Sequence, residues 1–407
     1  MNTGATKDQA TKALVPRLRF PEFRTAEGWS PSVLAHACDM QAGKFVAAAN
    51  ISERNQTGLF PCYGGNGLRG YTTTYTHDGT YSLIGRQGAL CGNVRLVNGK
   101  FHATEHAVVA TPKTAIDAGW LYYALDLLNL NRFATGQAQP GLSVDVLENV
   151  PLAIPVLELE QQKIAACLDS LDELIAAQGR KVEALKTHKK GLMQQLFPRE
   201  GETQPRLRFP EFRNAGEWNA RELSDFITER NEYPKEKVPL FSLTIEDGVT
   251  PKTERYERSF LVNDEAEAYK LVMPNDFAFN PMNLRFGAIG RHSGTGKVAV
   301  SKYYNIFSCD KTVDSRFCET YFRSERMVAY YDEQAIGSLI EKRRVHFAAF
   351  LKFSIRFPRL QEQERIAEFL TSLDALITAA NKELDTLKTH KQGLMQQLFP
   401  SVEAEAA

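Results

Sequence analysis

Two stretches of the chain carry apolar residues at the spacing of a helical seam. In the first, Glu158 to Leu196, they fall at Ile164, Leu168, Leu171, Ile175, Val182 and Leu185; in the second, at Ile366, Leu370, Leu373, Ile377, Ala380, Leu384 and Leu387. Steps of three and four, with one step of seven, are the a/d pattern of a coiled coil. The first stretch has no proline, and its only glycines are Gly179 and Gly191. The prolines of Ala153-Ile-Pro155 and Arg356-Phe-Pro358 mark the starts, and Pro198 and Pro400 the stops, because proline lacks a backbone donor and clashes with the turn before it. A helix of about 38 residues extends roughly 57 Å. One apolar stripe on so long a helix needs a partner, and the other copy is the obvious one. An antiparallel pairing within the chain would place one globular unit at each end; a plain stalk and a ruler fit the heptads equally.

Elsewhere short β-type runs alternate with glycine-marked turns, as in Phe60-Pro-Cys-Tyr-Gly-Gly-Asn-Gly-Leu-Arg-Gly-Tyr71 and Tyr81-Ser-Leu-Ile-Gly-Arg-Gln-Gly-Ala-Leu-Cys-Gly-Asn-Val-Arg95. Such turns let backbone approach a ligand and present Asn66, Arg69, Arg86 and Gln87 at loop tips. A helical run, Trp120 to Leu130, precedes another turn, Thr135-Gly-Gln-Ala-Gln-Pro-Gly141. Residues 281 to 302 hold Arg285, Arg291, Lys297 and Lys302 with no acid, and residues 341 to 356 hold Lys342, Arg343, Arg344, Lys352 and Arg356 against Glu341 alone. Taken singly, most of these are ordinary turn residues of a β-rich domain. Taken together, arginine and amide side chains on loops are the groups that read base edges, and local basic windows are where phosphate contacts are sought.

The chain is a two-copy repeat. Pro16-Arg-Leu-Arg-Phe-Pro-Glu-Phe-Arg24 recurs identically from Pro205 to Arg213, an offset of 189. Leu185 to Pro198 recurs from Leu387 to Pro400 with one change, Lys190 to Gln392, at an offset of 202. The second copy therefore has a net insertion of 13 residues between the two matches. Between the matched ends the halves barely resemble each other. The scaffold is duplicated and the cargo has diverged.

Composition narrows the picture. Lysine plus arginine and aspartate plus glutamate both number 49, so the formal charge is zero, and a partner would have to supply part of any positive clamp on a polyanion. No apolar run is long enough for a membrane span, and the polar start, Met1 to Ala13, lacks a signal peptide's apolar block. The chain is expected to be intracellular. Its six cysteines form no C-x-x-C pair and are expected to be reduced, with Cys167 buried on its helix. The clusters Lys186, His188, Lys189, Lys190 and Lys388, His390, Lys391 near the helix ends are either a solvated face or a contact for phosphate or an acidic partner.

Motifs for catalysis fail one by one. His102-Ala-Thr-Glu-His106 has the inverted zinc-protease spacing but sits in a turn-and-strand context, and that chemistry needs a helix. Gly290 to Val298 has Arg291 where a P-loop needs its first glycine and Val298 where it needs Ser/Thr. Asn280-Pro-Met-Asn283 has Met282 where amino-methyltransferases carry proline. No Pro-Asp dipeptide and no G-x-S-x-G occurs.

The R-F-P-E-F leader, Y-G-G-N-G-L-R-G-Y, L-I-G-R-Q-G-A-L-C-G-N-V, the L-x-E-Q-x-x-I-A helix starts and the K-x-G-L-M-Q-Q-L-F-P helix ends resemble specificity subunits of type I restriction–modification enzymes, the HsdS family. The resemblance spans residues 15 to 400, with the first helix start one residue out of step. It implies an α/β (α+β) fold: two target-recognition domains joined by two long helices in an intramolecular antiparallel coiled coil with pseudo-two-fold symmetry. The boundaries that follow are a disordered leader 1–14, domain 15–156, helix 157–198, linker 199–204, domain 205–358, helix 359–400 and a disordered tail 401–407.

The resemblance further implies a non-catalytic bacterial cytoplasmic subunit, associated with the nucleoid, that binds double-stranded DNA. Two methyltransferase subunits using S-adenosylmethionine and two motor–nuclease subunits using ATP and Mg would join it, the chain itself holding no cofactor. Contact candidates are Tyr63, Asn66, Arg69, Arg86 and Gln87 in the first unit and Asn283, Arg285, Arg291 and Lys297 in the second, with Arg343 and Arg344 from the second basic window. The alternatives are a DNA-recognition subunit of another phage-defence methylation system and a coiled-coil scaffold that binds protein.

Overall fold

The computed structural model describes residues 13–88, 90–136, 140–252, 268–337 and 343–401. Most of the expected leader and tail, the amides Gln137 and Gln139, and Glu341 and Lys342 lie outside the described residues. The chain divides into two units, Met1–Gly179 with Lys382–Ala407, and Arg180–Asn381.

Unit 1 is built on a six-stranded sheet. Its strands are β2 (Cys38–Ala42), β3 (Phe60–Gly64), β4 (Gly67–Thr72), β5 (His77–Gly85), β6 (Val94–Ala103) and β7 (Ala107–Pro112), in the order β2-β7-β5-β6-β3-β4. All neighbours are antiparallel except β3 against β6. A separate ladder pairs β1 (Ser30–Val33) with β8 (Pro151–Ile154). Short helices α1 (Leu34–Ala37) and α3 (Val144–Glu148) flank it, and α2 (Ala118–Leu127) buries Trp120, Leu121, Ala124 and Leu125 in the core. The α2 helix starts and stops earlier than the expected run from Trp120 to Leu130. The Asp117 carboxylate caps it by accepting from Trp120 N at 2.8 Å, and Asn129, at φ +48, breaks it.

The long helix α4 (Glu158–Leu196) begins in unit 1, and the last helix, α8 (Leu360–Leu398), ends there. Leu398 and Phe399 close the unit 1 core: the Phe399 ring meets Trp29 edge-on at 5.8 Å and stacks on Trp120 at 6.3 Å. Within this unit, Asp172 of α4 pairs with Lys391 of α8, and Gln178 with Glu383. Position rises along one helix as it falls along the other, so the two segments are antiparallel. Gln178 occupies the seam position that the step of seven skips; it is buried and donates to Glu383 Oε2 at 2.8 Å. Leu14, expected in the disordered leader, exchanges both backbone hydrogen bonds with Trp29.

Unit 2 has a different sheet on the same frame. A four-stranded sheet runs β10 (Ile227–Arg230), β17 (Asn305–Cys309), β14 (Phe277–Phe279), β15 (Ile289–Arg291), with pairs β11 (Phe241–Thr244)–β12 (Gly248–Pro251) and β13 (Tyr269–Val272)–β16 (Val298–Ser301) beside it. Helices α5 (Ser315–Phe322), α6 (Glu325–Gln334) and α7 (Phe347–Phe350) supply Phe317, Phe322, Met327, Tyr331 and Phe350 to its aromatic core. The frame repeats that of unit 1. β9 (Asn219–Glu222) pairs with β18 (Ser354–Phe357), α8 begins here, and α4 ends here with Leu196 and Phe197 in the core. Phe197 stacks on Tyr321 at 4.9 Å and meets Trp218 edge-on at 6.4 Å.

The repeated motifs are the fasteners of this frame. In unit 1, Arg19 donates from Nε and Nη2 to Glu160 at 2.7 Å each, and Trp29 Nε1 donates to the same carboxylate at 3.2 Å. In unit 2, Arg208 does this to Glu362 at 2.7 and 2.6 Å, with Trp218 at 3.4 Å. Both carboxylates are buried, and hydrogen bonding to Glu160 raises the Arg19 pKa still further. The next residues, Gln161 and Gln363, accept from the backbone N–H of Asp117 and Asp314, the capping residues of α2 and α5. The one-residue mismatch between the helix starts thus lies before the Glu-Gln pairs, which are in register at 202.

All six cysteines are free. Cys167 is half-buried rather than buried, because it sits one position off the Ile164–Leu168 seam and borders a small cavity with Phe20 and Leu394. The basic clusters are paired in part: Lys189 reaches Asp374 at 2.5 Å, Lys190 reaches Glu325 at 2.6 Å and Lys391 reaches Asp172 at 2.6 Å, while His188, Lys388 and His390 are exposed. No helix among the described residues is long and apolar enough to cross a membrane.

Candidate nucleic-acid interface

In unit 1 three turns converge at one edge of the six-stranded sheet. The two-residue β3–β4 hairpin places Asn66 at its exposed tip, with Gly67 at φ +100. The β5–β6 loop carries Arg86 and Gln87, and the β6–β7 turn carries Glu105 and His106. Glycine is what lets them meet. A Cβ on Gly65 would lie 2.6 Å from the His106 carbonyl oxygen, and one on Gly85 would lie 2.5 Å from the Gly65 carbonyl oxygen. The Arg86 N–H donates to the His106 carbonyl at 2.9 Å, and the Leu142 N–H to the Arg86 carbonyl at 2.9 Å.

Of the five candidates in this unit, four gather on these turns and the neighbouring strand. Asn66, Arg69 and Gln87 are exposed and Arg86 half-buried. Arg69 crosses Gly64, whose added Cβ would meet its Cδ at 2.7 Å. Among the described residues, no ion pair or side-chain hydrogen bond engages the guanidinium of Arg69 or Arg86. Tyr63 is held by the core, its ring edge-on against Phe101 at 6.0 Å in a small apolar cluster with Leu83 and Val97, while it also borders the polar cavity beside Asn66. Two residues missed from the sequence belong here. Arg95 lies over Gly67, its Nη2 3.1 Å from where a Cβ would be, and His106 contacts Gln87 Oε1 through Nδ1 at 3.0 Å. Arg95, Asn66, Asn93 and Asp126 line a polar cavity of about 240 Å³, in which burial raises the Asp126 pKa.

His102 does not join His106. It is buried on strand β6 with Nδ1 on the Thr74 hydroxyl and Nε2 on the Lys44 carbonyl, both at 3.0 Å. The spacing of a zinc-protease motif is here a strand and a turn.

Unit 2 treats its candidate cations differently. Arg285 pairs with Asp332 at 2.9 Å and lies over the Phe286 ring. Arg291 donates to Glu319 at 3.0 Å and to Asn275 at 2.7 Å. Lys297 pairs with Glu236 at 3.1 Å, both side chains exposed. Arg343 donates to the Ala335 carbonyl at 3.1 Å and also holds the Asp332 carbonyl. Arg285, Arg291, Lys297 and Arg343, which have few acids near them in sequence, thus meet Asp332, Glu319 and Glu236 in space. Asn283 is exposed at the start of the short turn of helix Leu284–Phe286, and Arg344 is exposed beside its backbone bridge to Ile336.

The model of the type I restriction modification DNA specificity domain matches residues 27–187 and 289–389. These stretches are more than half of the chain, and the chain belongs to that family. It is similar to the type I restriction enzyme EcoprrI specificity subunit of Escherichia coli, 47% identical over 142 residues, which are 35% of each chain. It is also similar to the MjaVIII specificity subunit of Methanocaldococcus jannaschii, 26% identical over 311 residues, 70% of each. The chain thus spans about a third of the E. coli relative's length and about two thirds of the archaeal one's. Among solved structures, the S subunit of a type I restriction–modification system from M. genitalium shares the fold, with a TM-score of 0.61 at 14% identity over 96% of this chain and 100% of that one.

Proposed function

We propose that the chain is the DNA-reading, non-catalytic subunit of a type I restriction–modification complex, each unit reading one half of a bipartite site. One observation supports this above the others. Two unlike sheets are held by one repeated frame, Arg19–Glu160–Trp29 in unit 1 and Arg208–Glu362–Trp218 in unit 2. A constant mount with dissimilar cargo suits an asymmetric target whose halves differ.

In this reading unit 1 meets the major groove with Asn66, Arg86 and Gln87, and Arg69 and Arg95 serve phosphate or base. Unit 2 uses Asn283 and Arg344, with Arg285, Arg291, Lys297 and Arg343 oriented by their acidic partners. The long helices set the gap between the halves. Two methyltransferase subunits supply S-adenosylmethionine-dependent adenine methylation, and two motor–nuclease subunits supply ATP- and Mg-dependent cleavage. A chain of zero net charge fits a complex in which partners complete the grip on DNA.

The test is co-expression with a methyltransferase subunit of the same family, followed by sequencing of methylated adenines. A split motif with a fixed gap, present only when this chain is present, is the expected result. Methylation at a continuous site, or the same methylation without the chain, overturns the proposal.

A further inference from the structure

We infer that Glu105, His106 and Gln87 form a relay in which His106 decides which end of the Gln87 amide faces a base, making His106 a positioning residue for specificity at one base pair of the half-site read by unit 1. The inference rests on Gln87 being a base contact, as proposed above.

The geometry is a short chain of contacts. Gln87 Oε1 lies 3.0 Å from His106 Nδ1, and Glu105 Oε1 lies 3.2 Å from His106 Nε2. The pieces cannot easily drift apart. The Arg86 N–H donates to the His106 carbonyl, Gln87 is bridged to Gly141, and Gly65 abuts the His106 carbonyl so closely that a Cβ there would clash. Gln87 itself is exposed, so the end of its amide not turned to His106 is free to meet DNA.

An amide has an acceptor at one end and a donor at the other, and a ring nitrogen can engage only one of them. The Glu105 carboxylate favours a proton on Nε2 in both charge states of the ring. In the neutral ring Nδ1 is then a bare acceptor: it takes a hydrogen bond from Gln87 Nε2, and Oε1 faces outward. An outward oxygen reads the amino groups of adenine or cytosine. In the protonated ring Nδ1–H donates to Gln87 Oε1, and the NH₂ group faces outward. Outward donors read the O6 and N7 of guanine or the O4 of thymine. As the side chains stand, both ring nitrogens face oxygens, the arrangement that suits the protonated ring. The charged groups on the packed elements are Glu105 on the same turn, Arg86 on the β5–β6 loop and Arg69 beside the β3–β4 hairpin; the Gly141–Leu142 segment brings none.

The experiment uses the full chain assembled with its methyltransferase partner, acting on a DNA library randomised in both halves and read by sequencing of methylated adenines. For the unaltered chain, preference at one position of the unit 1 half should move from amino-bearing to keto-bearing bases, by about tenfold, as pH is lowered from about 8 to about 5.5. The unit 2 half, read in the same molecules, should not move. H106A should accept both base classes to within about threefold at every pH. H106N, which offers a hydrogen-bonding group that does not titrate here, should restore a fixed preference. Q87A should lose the preference at that same position. A flat pH profile in the unaltered chain overturns the relay by itself, as does an unchanged preference in H106A. If Q87A leaves the unit 1 half untouched, the base-contact reading beneath the relay fails instead.

Discussion

Lys391 donates to both oxygens of Asp172, at 2.6 and 2.7 Å, and Lys189, which Lys391 repeats, reaches Asp374, which repeats Asp172, at 2.5 Å. The two ion pairs occur in separate units and are one contact made twice. Each ties the start of one long helix to the end of the other, so each fixes the same antiparallel register. Asp172 and Asp374 are 38% and 54% exposed, so solvent screening limits what either pair adds to stability. D172K alone should lower unit 1 stability by about 1 kcal/mol through like-charge contact with Lys391. The exchange D172K/K391D should recover most of that loss in a urea-denaturation double-mutant cycle. Additive losses would mean that the pair does not set register.

The Arg19–Glu160 pair belongs to a different energetic class. Both side chains are almost wholly buried, and the carboxylate is also held by Trp29. R19A would leave Glu160 buried without its counter-charge, which costs about 3–5 kcal/mol. R19M/E160L should lose less than R19A, because nothing charged is then left inside. Equilibrium unfolding of the three chains decides this, and a milder loss in R19A than in the double variant would refute it.

Phe399 presents the cleanest cavity test. Its ring packs against both Trp29 and Trp120, which also meet each other edge-on at 6.0 Å, and F399A should cost about 3–5 kcal/mol. W29A should be comparably destabilising. Neither change should alter the bases preferred at methylated sites, since both residues lie in the core away from the converging turns. A shifted half-site in F399A would mean that the frame, not the loops, carries specificity.

The long helices, their proline limits and the two-copy frame were legible in the sequence, because period, breakers and a repeated leader are local signals. What closes each core was not. Phe399 comes from the far end of the chain to finish unit 1, and no local pattern announces that. Gln178 was legible only as a gap in the seam; its place there depends on Glu383, a residue of the other helix. The basic windows misled for a similar reason. Charge counted along the chain sees no acid near Arg291, whereas folding brings Glu319 to it from 28 residues away. His106 was hidden by its own motif: read beside His102 it suggests a metal site, and only the turn geometry sets it against Gln87.

Arg86 and Arg291 share a place in the argument from sequence but not in the structure, and their substitutions should separate. The Arg86 guanidinium has no side-chain partner among the described residues, whereas Arg291 is gripped by Glu319 and Asn275. R86A should therefore leave stability within about 0.5 kcal/mol of the unaltered chain. Its effect should fall on the unit 1 half-site alone, at about 1–3 kcal/mol of discrimination if the contact is bidentate. R291A strips the partner from Glu319, whose side chain is only 23% exposed, and should cost about 1–3 kcal/mol of unit 2 stability. R291K should recover only part of this, because an ammonium cannot span Glu319 and Asn275 as the planar guanidinium does. Binding to DNA altered in one half at a time, measured beside thermal unfolding, distinguishes the two cases. Loss of stability in R86A with no change in half-site preference would place that arginine in the scaffold and remove the strongest candidate contact of unit 1.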